Sequence, residues 1–342
     1  MAALEQRESG YWQVKVRRKG WPSQSKTFRT KTEAEMWARQ IESEMDRGAF
    51  VSRAAAERTT VEHLAKTFRE GYAPKHYRGA AWKHKLDRLV ERLGKYSLAA
   101  LTPEVIGRYR DHRLKDPDPR FKKDPMTAPR VSGSTVKTEL DLLSKLLNVA
   151  EKEFGIHLAN GNPVRSIQKP ASGKGRERRL SADQWTALEV SCKASRNQWL
   201  LPALLLAVET AMRQGELLGM RWERLDTAQR FVLLPHTKNG EARAAPLSSR
   251  AVAILEGLPR HISGRVVPLE KQTLYSAFKA AVSRAKIKDF TWHDLRHEAL
   301  SRLAERGDLS VLELAAVSGH KTLQMLKRYT HLQAAKLAQK LG

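Results

Sequence analysis

Hydrophobic and polar positions alternate with two different periods along this chain, and the periods predict its elements. Residues 11–17 (YWQVKVR) and 24–30 (QSKTFRT) alternate with a period of two on either side of the break GWPS, which predicts an antiparallel hairpin. The next stretch, TEAEMWARQIESEM, predicts a helix with Thr32 as its N-cap. The chain is therefore expected to begin with a strand-strand-helix unit.

A helical period follows. From Thr59 to residue 154, apolar residues recur every three or four positions, which predicts an all-helical domain. The proline-rich stretch 116–133 interrupts this pattern as a loop. Residues 171–179 (ASGKGRERR) are small and basic, as is typical of an interdomain linker.

The pattern restarts at Leu180 with SADQW, in which Ser181 and Gln184 form a capping-box signal. The remainder is mostly helical, apart from two short strands predicted around Asn239-Gly240 in RFVLLPHTKNGEARAAPL. We therefore predict a mainly α fold with small β elements (α+β). Its predicted segments are a small sheet-plus-helix domain (1–57), a helical bundle (58–166), a basic linker (167–179) and a mixed, mostly helical domain (180–342).

The charge of the chain indicates a polyanionic partner. Its formal net charge is +25, and nucleic acid is the commonest partner of so basic a protein, with an anionic membrane surface as the alternative. The longest apolar run, residues 200–208, is too short to span a bilayer, and no signal-peptide pattern opens the sequence. The single cysteine, Cys192, fits a reducing cytosol and is interpreted as structural.

Two basic clusters are candidates for contact with nucleic acid. The predicted hairpin offers a charged sheet that fits a DNA groove, although a solvated appendage is the alternative interpretation. The linker offers basic side chains that fit a phosphate backbone. The candidate DNA-binding residues are Lys15, Arg17, Arg18, Lys19, Lys174, Arg176, Arg178 and Arg179.

The stretch WHDLRH, residues 292–297, permits two kinds of chemistry. His293 and His297 stand four apart, the spacing at which two histidines on a helix bind zinc. The zincin pattern requires Glu directly after the first histidine, however, and Asp294 stands there. We therefore predict no metal site.

The second interpretation of WHDLRH is a phosphate site. Thr291 is expected to cap a helix together with Asp294, which places His293 and Arg296 on one face near its N-terminus. The free N–H groups of a helix N-terminus favour anions. An arginine fork beside a histidine donor fits the oxygens of a phosphate.

Other segments add candidates to this site. Arg213 stands just past the most apolar helix, and Glu216 is placed to brace it. Lys238 lies at the tip of the predicted TKNG hairpin, where a long flexible cation reaches outward. His320 follows a helix closed by Gly319, and Tyr329 lies on a short helix beyond it. A tyrosine there, taken alone, is more often a core or surface aromatic.

The motifs TAMRQGE, TKNG, HDLRH, SGHK and KRYTH, in this order and spacing, resemble those of the tyrosine recombinases, or phage-type integrases. The resemblance covers the carboxy-terminal half. It implies catalytic roles for Arg213, Lys238, His293, Arg296, His320 and Tyr329. Ala211 departs from the family, which often has glycine in T-G-x-R, so the backbone there is expected to differ slightly.

The resemblance also implies a mechanism. Tyr329 would attack a DNA phosphodiester to form a 3′-phosphotyrosyl link, which conserves the bond energy and requires neither ATP nor a cofactor. Arg213 and Arg296 would stabilise the transition state, with His293 and His320 as further donors. Lys238 would protonate the leaving 5′-oxygen, and His293 would assist as acid or base. His297 is expected to be structural.

The implied assembly is a clamp on duplex DNA that works as a homotetramer. The amino-terminal unit resembles arm-type DNA-binding domains of prophage and genomic-island integrases, and the helical bundle resembles a core-site-binding domain. Accessory DNA-bending or directionality factors, a cytoplasmic, nucleoid-associated location in a bacterium and docking of residues 333–342 on a neighbouring protomer are further expectations. A type IB topoisomerase-like enzyme and a non-catalytic architectural DNA-binding protein are the alternatives.

Overall fold

The computed structural model describes residues 2–48, 50, 53–121, 127–173, 175–176, 178–235, 242–320 and 322–330. These residues form a mainly helical protein with two small antiparallel sheets, as the periodicity predicts. The chain divides into two compact units, Met1–Lys174 and Gly175–Gly342. Among the described residues, none of the helices combines the length and the apolar character that a membrane span requires.

The amino-terminal sheet has three strands, where the sequence predicts two. Strands β1 (Ala2–Gln6), β2 (Trp12–Val16) and β3 (Gln24–Phe28) pair antiparallel in that order, and helix α1 (Lys31–Asp46) packs against them. The sequence AALEQ of β1 contains none of the β-branched or aromatic residues that favour strands. Its pairing with β2, rather than its own composition, makes it a strand.

Helix α1 begins earlier than predicted, because its N-cap is Thr30 and not Thr32. The Thr30 hydroxyl accepts a hydrogen bond from the amide of Glu33, and the Glu33 carboxylate accepts one from the amide of Thr30. Both threonines have a glutamate three residues later, so the capping-box pattern alone does not distinguish them. The earlier cap lets the carbonyl of Thr30 accept a helical hydrogen bond from Ala34 at 3.3 Å.

The rest of the first unit is a helical bundle. The longest helix lies against three others and carries more of the buried leucines than any other helix of the bundle. The elements are α2 (Ala54–Arg58), α3 (Val61–Thr67), a π-helical turn (Phe68–Tyr72), α4 (Ala73–His76), α5 (Ala81–Leu93), a 3-10 turn (Leu98–Ala100), α6 (Pro103–Lys115), α7 (Gly133–Glu153) and a 3-10 turn (Pro163–Ser166).

A buried ion group joins α6 to α7. Arg113, 5% exposed, donates to both carboxylate oxygens of Glu139 at 3.0 and 3.1 Å and to Asp116 at 2.9 Å. The hydroxyl of Tyr109 donates to Glu139 at 2.8 Å. Burial alone lowers the pKa of Arg113, but the two carboxylates outweigh it and leave that pKa raised. This arginine is a neutralised, structural cation.

The second unit is built around one apolar helix. Helix α9 (Leu200–Thr210), which contains the longest apolar run of the sequence, packs against α8, α11 and α13. The other elements are α8 (Ala182–Lys193), α10 (Gln214–Leu218), a 3-10 turn (Trp222–Arg224), β4 (Leu225–Asp226), β5 (Phe231–Leu234), β6 (Arg243–Pro246), α11 (Ser249–Glu256), α12 (Lys271–Arg284), α13 (Trp292–Arg306), α14 (Val311–Ser318), a 3-10 turn (Leu323–Met325) and α15 (Lys327–Thr330).

Local sequence signals in this unit are largely confirmed. Ser181 and Thr291 cap α8 and α13 with the predicted capping boxes, and Gly319 ends α14 in the left-handed region. Strands β5 and β6 pair as the predicted hairpin, with the unpredicted β4 on the other side of β5. The predicted Asn239-Gly240 turn and Lys238 lie outside the described residues.

The predicted linker is held by different partners at its two ends. In the first unit, the carbonyl of Gln168 accepts from Arg110 at 2.8 Å and Lys169 donates to Asp141 at 2.7 Å. In the second unit, Arg176 and Arg179 bind carboxylates of α13 and of the turn before it. The predicted segment boundaries therefore stay a prediction, although the division at residue 174 falls inside the predicted linker.

Candidate active site

The first predicted catalytic arginine, Arg213, lies just after the end of the apolar helix α9. Helix α9 stops at Ala211, whose φ of 51° lies in the left-handed region, and the chain then turns into α10 with Arg213 as its N-cap. The Arg213 guanidinium donates to Glu216 at 2.7 Å and to the carbonyl of Gly319 at 2.9 Å. Glu216 thus braces Arg213, as the sequence predicts.

Glu216 also binds a second arginine, which the sequence analysis missed. Arg243 on β6 donates to the other oxygen of Glu216 at 3.0 Å and to the carbonyl of Val317 at 2.9 Å. Burial raises the pKa of Glu216, but its hydrogen bonds from Arg213 and the charge of Arg243 outweigh burial and leave that pKa lowered. The one available signal was a basic residue between alanines in the strand ARAAPL.

The capping box of α13 orients the residues of HDLRH. The Asp294 carboxylate accepts from the amide and hydroxyl of Thr291, each at 2.8 Å, and from Arg176 at 3.0 Å. Asp294 is fully buried; burial raises its pKa, and the hydrogen bonds from Arg176 and Thr291 overcome that effect and lower it. His293 in the same turn is exposed, while Arg296 points into the unit.

Arg296 is a buried cation held by carbonyl groups. It is 4% exposed and donates to the carbonyls of Ala211 and Ser318, both at 2.6 Å. Burial, reinforced by the nearby charge of Arg213, lowers its pKa to about 10. Its hydrogen-bond partners within the described ranges include no carboxylate, so no carboxylate pairs with its positive charge directly.

His320 lies beside Arg296 on the turn after α14. Its Nδ1 is 2.7 Å from the hydroxyl oxygen of Ser318, and its Nε2 is 3.4 Å from Arg296. The Ser318 hydroxyl donates to the carbonyl of Leu314 at 2.6 Å. Because that hydroxyl has one proton, it accepts from Nδ1–H of His320, so His320 donates from Nε2 only in its protonated form.

Tyr329 is docked in the same unit, on α15. It is 5% exposed, and its hydroxyl lies 2.6 Å from Nδ1 of His297. The ring of His297 stands perpendicular to that of His293, 5.0 Å away between centroids. His297, expected from the sequence to be only structural, therefore contacts the oxygen of the predicted nucleophile.

Five of the six predicted catalytic residues lie in the second unit. They lie just after α9, in the first turns of α13, just after α14 and on α15. Lys238 lies outside the described residues. No cluster of three or more potential metal ligands occurs in the described ranges. Burial raises the pKa of the Cys192 thiol to about 12, which keeps it protonated and agrees with a structural role.

The predicted DNA-binding residues divide into two groups. Lys15 is exposed on β2, and Arg18 forms an ion pair with Asp46. In the linker, Arg178 donates to Gln184 at 3.2 Å, and Arg176 and Arg179 pair with carboxylates of the second unit. These bonds give the linker arginines protein partners that the sequence did not predict, and their contact with DNA stays a prediction. Lys174 lies outside the described residues.

Comparison with known proteins relates this unit to a family. Residues 178–336 match the phage integrase family. The chain is 43% identical over 241 residues to a shufflon-specific DNA recombinase of Escherichia coli, an alignment that covers 70% of this chain and 60% of that protein. The chain thus spans less than two thirds of that relative's length.

Solved structures agree at the level of the fold. A lambda integrase dimer bound to a COC′ core site superposes with a TM-score of 0.63 at 20% identity, over 95% of this chain and 93% of the other. A lambda integrase tetramer bound to a Holliday junction gives a TM-score of 0.61 at 20% identity, over 93% and 95%.

Proposed function

We propose that this chain, which belongs to the phage integrase family of tyrosine recombinases, is a site-specific DNA recombinase that integrates and excises a mobile element. In this proposal it breaks and rejoins DNA through a 3′-phosphotyrosyl intermediate. The energy of the broken phosphodiester is conserved in that covalent bond, so no ATP is required.

One observation carries the proposal: Arg213, Arg243 and Arg296 lie close together, and Glu216 is the carboxylate that binds two of them. Arg213 and Arg243 both bind Glu216, whereas Arg296 donates to two carbonyls and lies 3.4 Å from Nε2 of His320. This cluster therefore keeps an excess of positive charge in a partly buried pocket, which is costly unless an anion binds there. A pentavalent phosphorus with charged non-bridging oxygens fits the requirement.

The residues support a division of roles. Tyr329 is the proposed nucleophile, and Arg213 and Arg296 are the proposed donors to the non-bridging oxygens. His293, exposed at the N-terminus of α13, and His320, beside Arg296, are proposed as further contacts to the phosphate. Lys238 is proposed to protonate the leaving 5′-oxygen. The guanidinium groups supply the positive charge, so we expect the reaction to proceed without a divalent metal.

The proposed partner is double-stranded DNA. The net charge of +25 supports this, and the superposed integrases are a dimer and a tetramer on DNA. We propose that the protein forms a homotetramer on paired core sites and that its predicted sheet-plus-helix domain (1–57) binds arm-type sites. We also propose accessory directionality factors and a location with the bacterial nucleoid.

The experiment that tests the proposed function is covalent trapping. A nicked suicide duplex carrying the attachment core is incubated with the protein in EDTA, and denaturing gels are scanned for a protein–DNA adduct. We expect an adduct from the wild type and none from Tyr329→Phe. If neither forms one on a duplex that both bind, the protein is a non-catalytic DNA-binding protein. Relaxation of plasmids that lack the core would instead favour a topoisomerase.

A further inference from the structure

One side chain outside the six predicted catalytic residues contacts the reacting oxygen. Nδ1 of His297 lies 2.6 Å from the hydroxyl of Tyr329, a short hydrogen-bond distance. His297 is half-buried on α13, one turn beyond His293 and adjacent to Arg296. The same helix therefore carries the phosphate-binding arginine and the group that holds the nucleophile.

We propose that His297 is a catalytic residue that accepts the phenolic proton as Tyr329 attacks the phosphodiester. This inference rests on the proposed function. As the Oη–P bond forms, the proton of the hydroxyl moves to Nδ1 of His297. As the P–O5′ bond breaks, the 5′-oxygen takes a proton from the general acid, for which Lys238 is the candidate. In the rejoining step, the attacking 5′-hydroxyl returns its proton to the general acid, and His297 returns its proton to the departing oxygen of Tyr329.

The chemistry of the two groups supports this assignment. A phenol has an ordinary pKa of about 10, so at neutral pH only about one in a thousand is ionised. Imidazole, with an ordinary pKa of about 6.5, is mostly neutral at that pH and can take up a proton. A positioned base of this kind typically contributes about 10²–10⁴ in rate.

The geometry distinguishes His297 from the neighbouring histidines. His293 is exposed at the start of α13, and its ring is perpendicular to that of His297. The Nδ1 of His320 is directed to Ser318 and its Nε2 to Arg296. His297 is thus the histidine whose ring nitrogen lies against the attacking oxygen.

The first test separates proton transfer from positioning. His297→Asn can keep an acceptor atom near the position of Nδ1 but cannot take up a proton at neutral pH, whereas His297→Ala removes both. We expect both variants to bind the core duplex as the wild type does and to form the adduct about 10²–10³-fold more slowly in single turnover. An Asn variant within threefold of the wild type would show that His297 only positions Tyr329 and would overturn the proposal.

The second test uses a 5′-phosphorothiolate at the scissile bond, whose thiolate leaves without a proton. This substrate should restore the rate of a general-acid variant such as Lys238→Ala but leave the His297→Asn defect in place. If this substrate restored the rate of the His297→Asn variant, His297 would instead be the group that protonates the leaving 5′-oxygen. The wild-type adduct on ordinary DNA is the reference, and its absence would contradict the proposed function rather than the role of His297.

A third measurement changes the acidity of the nucleophile in the wild type and in His297→Asn. Placing 3,5-difluorotyrosine at position 329 makes the phenol more acidic and so reduces its need for a base. We expect this replacement to raise the rate of adduct formation at least tenfold in the His297→Asn variant. In the protein that retains His297, the rate should change by a smaller factor. An equal effect in both backgrounds would contradict proton transfer to His297.

Discussion

Two buried arginines, one in each unit, have opposite electrostatic environments. Arg113 in the helical bundle is 5% exposed and binds the carboxylates of Glu139 and Asp116, which leave its pKa raised. Arg296 in the second unit is 4% exposed and binds two carbonyls, and burial lowers its pKa to about 10. Similar burial therefore accompanies direct pairing with carboxylates in one case and no carboxylate hydrogen bond in the other.

This difference is the one expected between an arginine with a structural role and an arginine with the proposed role of binding an anion. A buried pair costs desolvation on both sides and recovers it through mutual attraction. A buried cation that is hydrogen-bonded to carbonyls recovers less of this cost, so a bound anion would stabilise it further. Arg296 is held in place by backbone carbonyls that orient its fork without cancelling its charge.

The largest expected effect on stability comes from Arg113→Met. Because Glu139 would be left buried and uncompensated, the free energy of unfolding should fall by about 3–5 kcal/mol. Adduct formation per folded molecule should be unchanged. Urea unfolding measures the first quantity and suicide-substrate trapping the second. The matched control is the double variant Arg113→Met with Glu139→Gln, which should recover part of the lost stability. If it did not, the loss would not come from an uncompensated Glu139.

Arg296→Met should affect the rate of adduct formation more than the stability, the reverse of Arg113→Met. The rate of adduct formation should fall by about 10²–10³, the usual consequence of losing one donor to a charged transition state. Stability should change less than in Arg113→Met, since no carboxylate loses its partner. Thermal unfolding and single-turnover trapping on the same preparation give both values. A loss of stability as large as that of Arg113→Met would mean that Arg296 is also structural.

Glu216→Gln should lie between these extremes, because Arg213 and Arg243 would lose their shared counterion. We expect a loss of about 1.5–3 kcal/mol at pH 7. The pKa of Glu216 is lowered in the fold, so its contribution is present above its unfolded value of about 4.3 and is lost as pH falls through the folded value. The difference between wild type and variant should thus shrink below about pH 4 in urea titrations, and a constant difference would contradict this account.

The smallest expected effect is a gain. Ala211 occupies the left-handed region, which costs an L-residue about 1–2 kcal/mol and glycine little. After the greater entropy of glycine in the unfolded chain is subtracted, Ala211→Gly should raise stability by about 0.5–1 kcal/mol. The rate should not change, because the Ala211 carbonyl that accepts from Arg296 remains. Ala211→Val is the matched control and should destabilise.

Local signals in the sequence were sufficient for much of this protein. Capping boxes at Ser181 and Thr291 and the left-handed stop at Gly319 involve hydrogen bonds within a few residues, so the pattern of neighbouring side chains determines them. Thr30 marks the limit of such signals. Two threonines carried the same pattern, and only the structure distinguished them.

The sequence by itself thus determined the mainly helical fold, the caps at Ser181 and Thr291 and the order of the motif residues. Only the tertiary structure decided that Arg243 shares Glu216, that Arg176 binds Asp294 and that His297 contacts Tyr329. These pairs are separated by 27, 118 and 32 positions along the chain. The physical reason is that periodicity and capping report interactions within one or two turns, whereas the partner of a buried charge depends on which elements pack together.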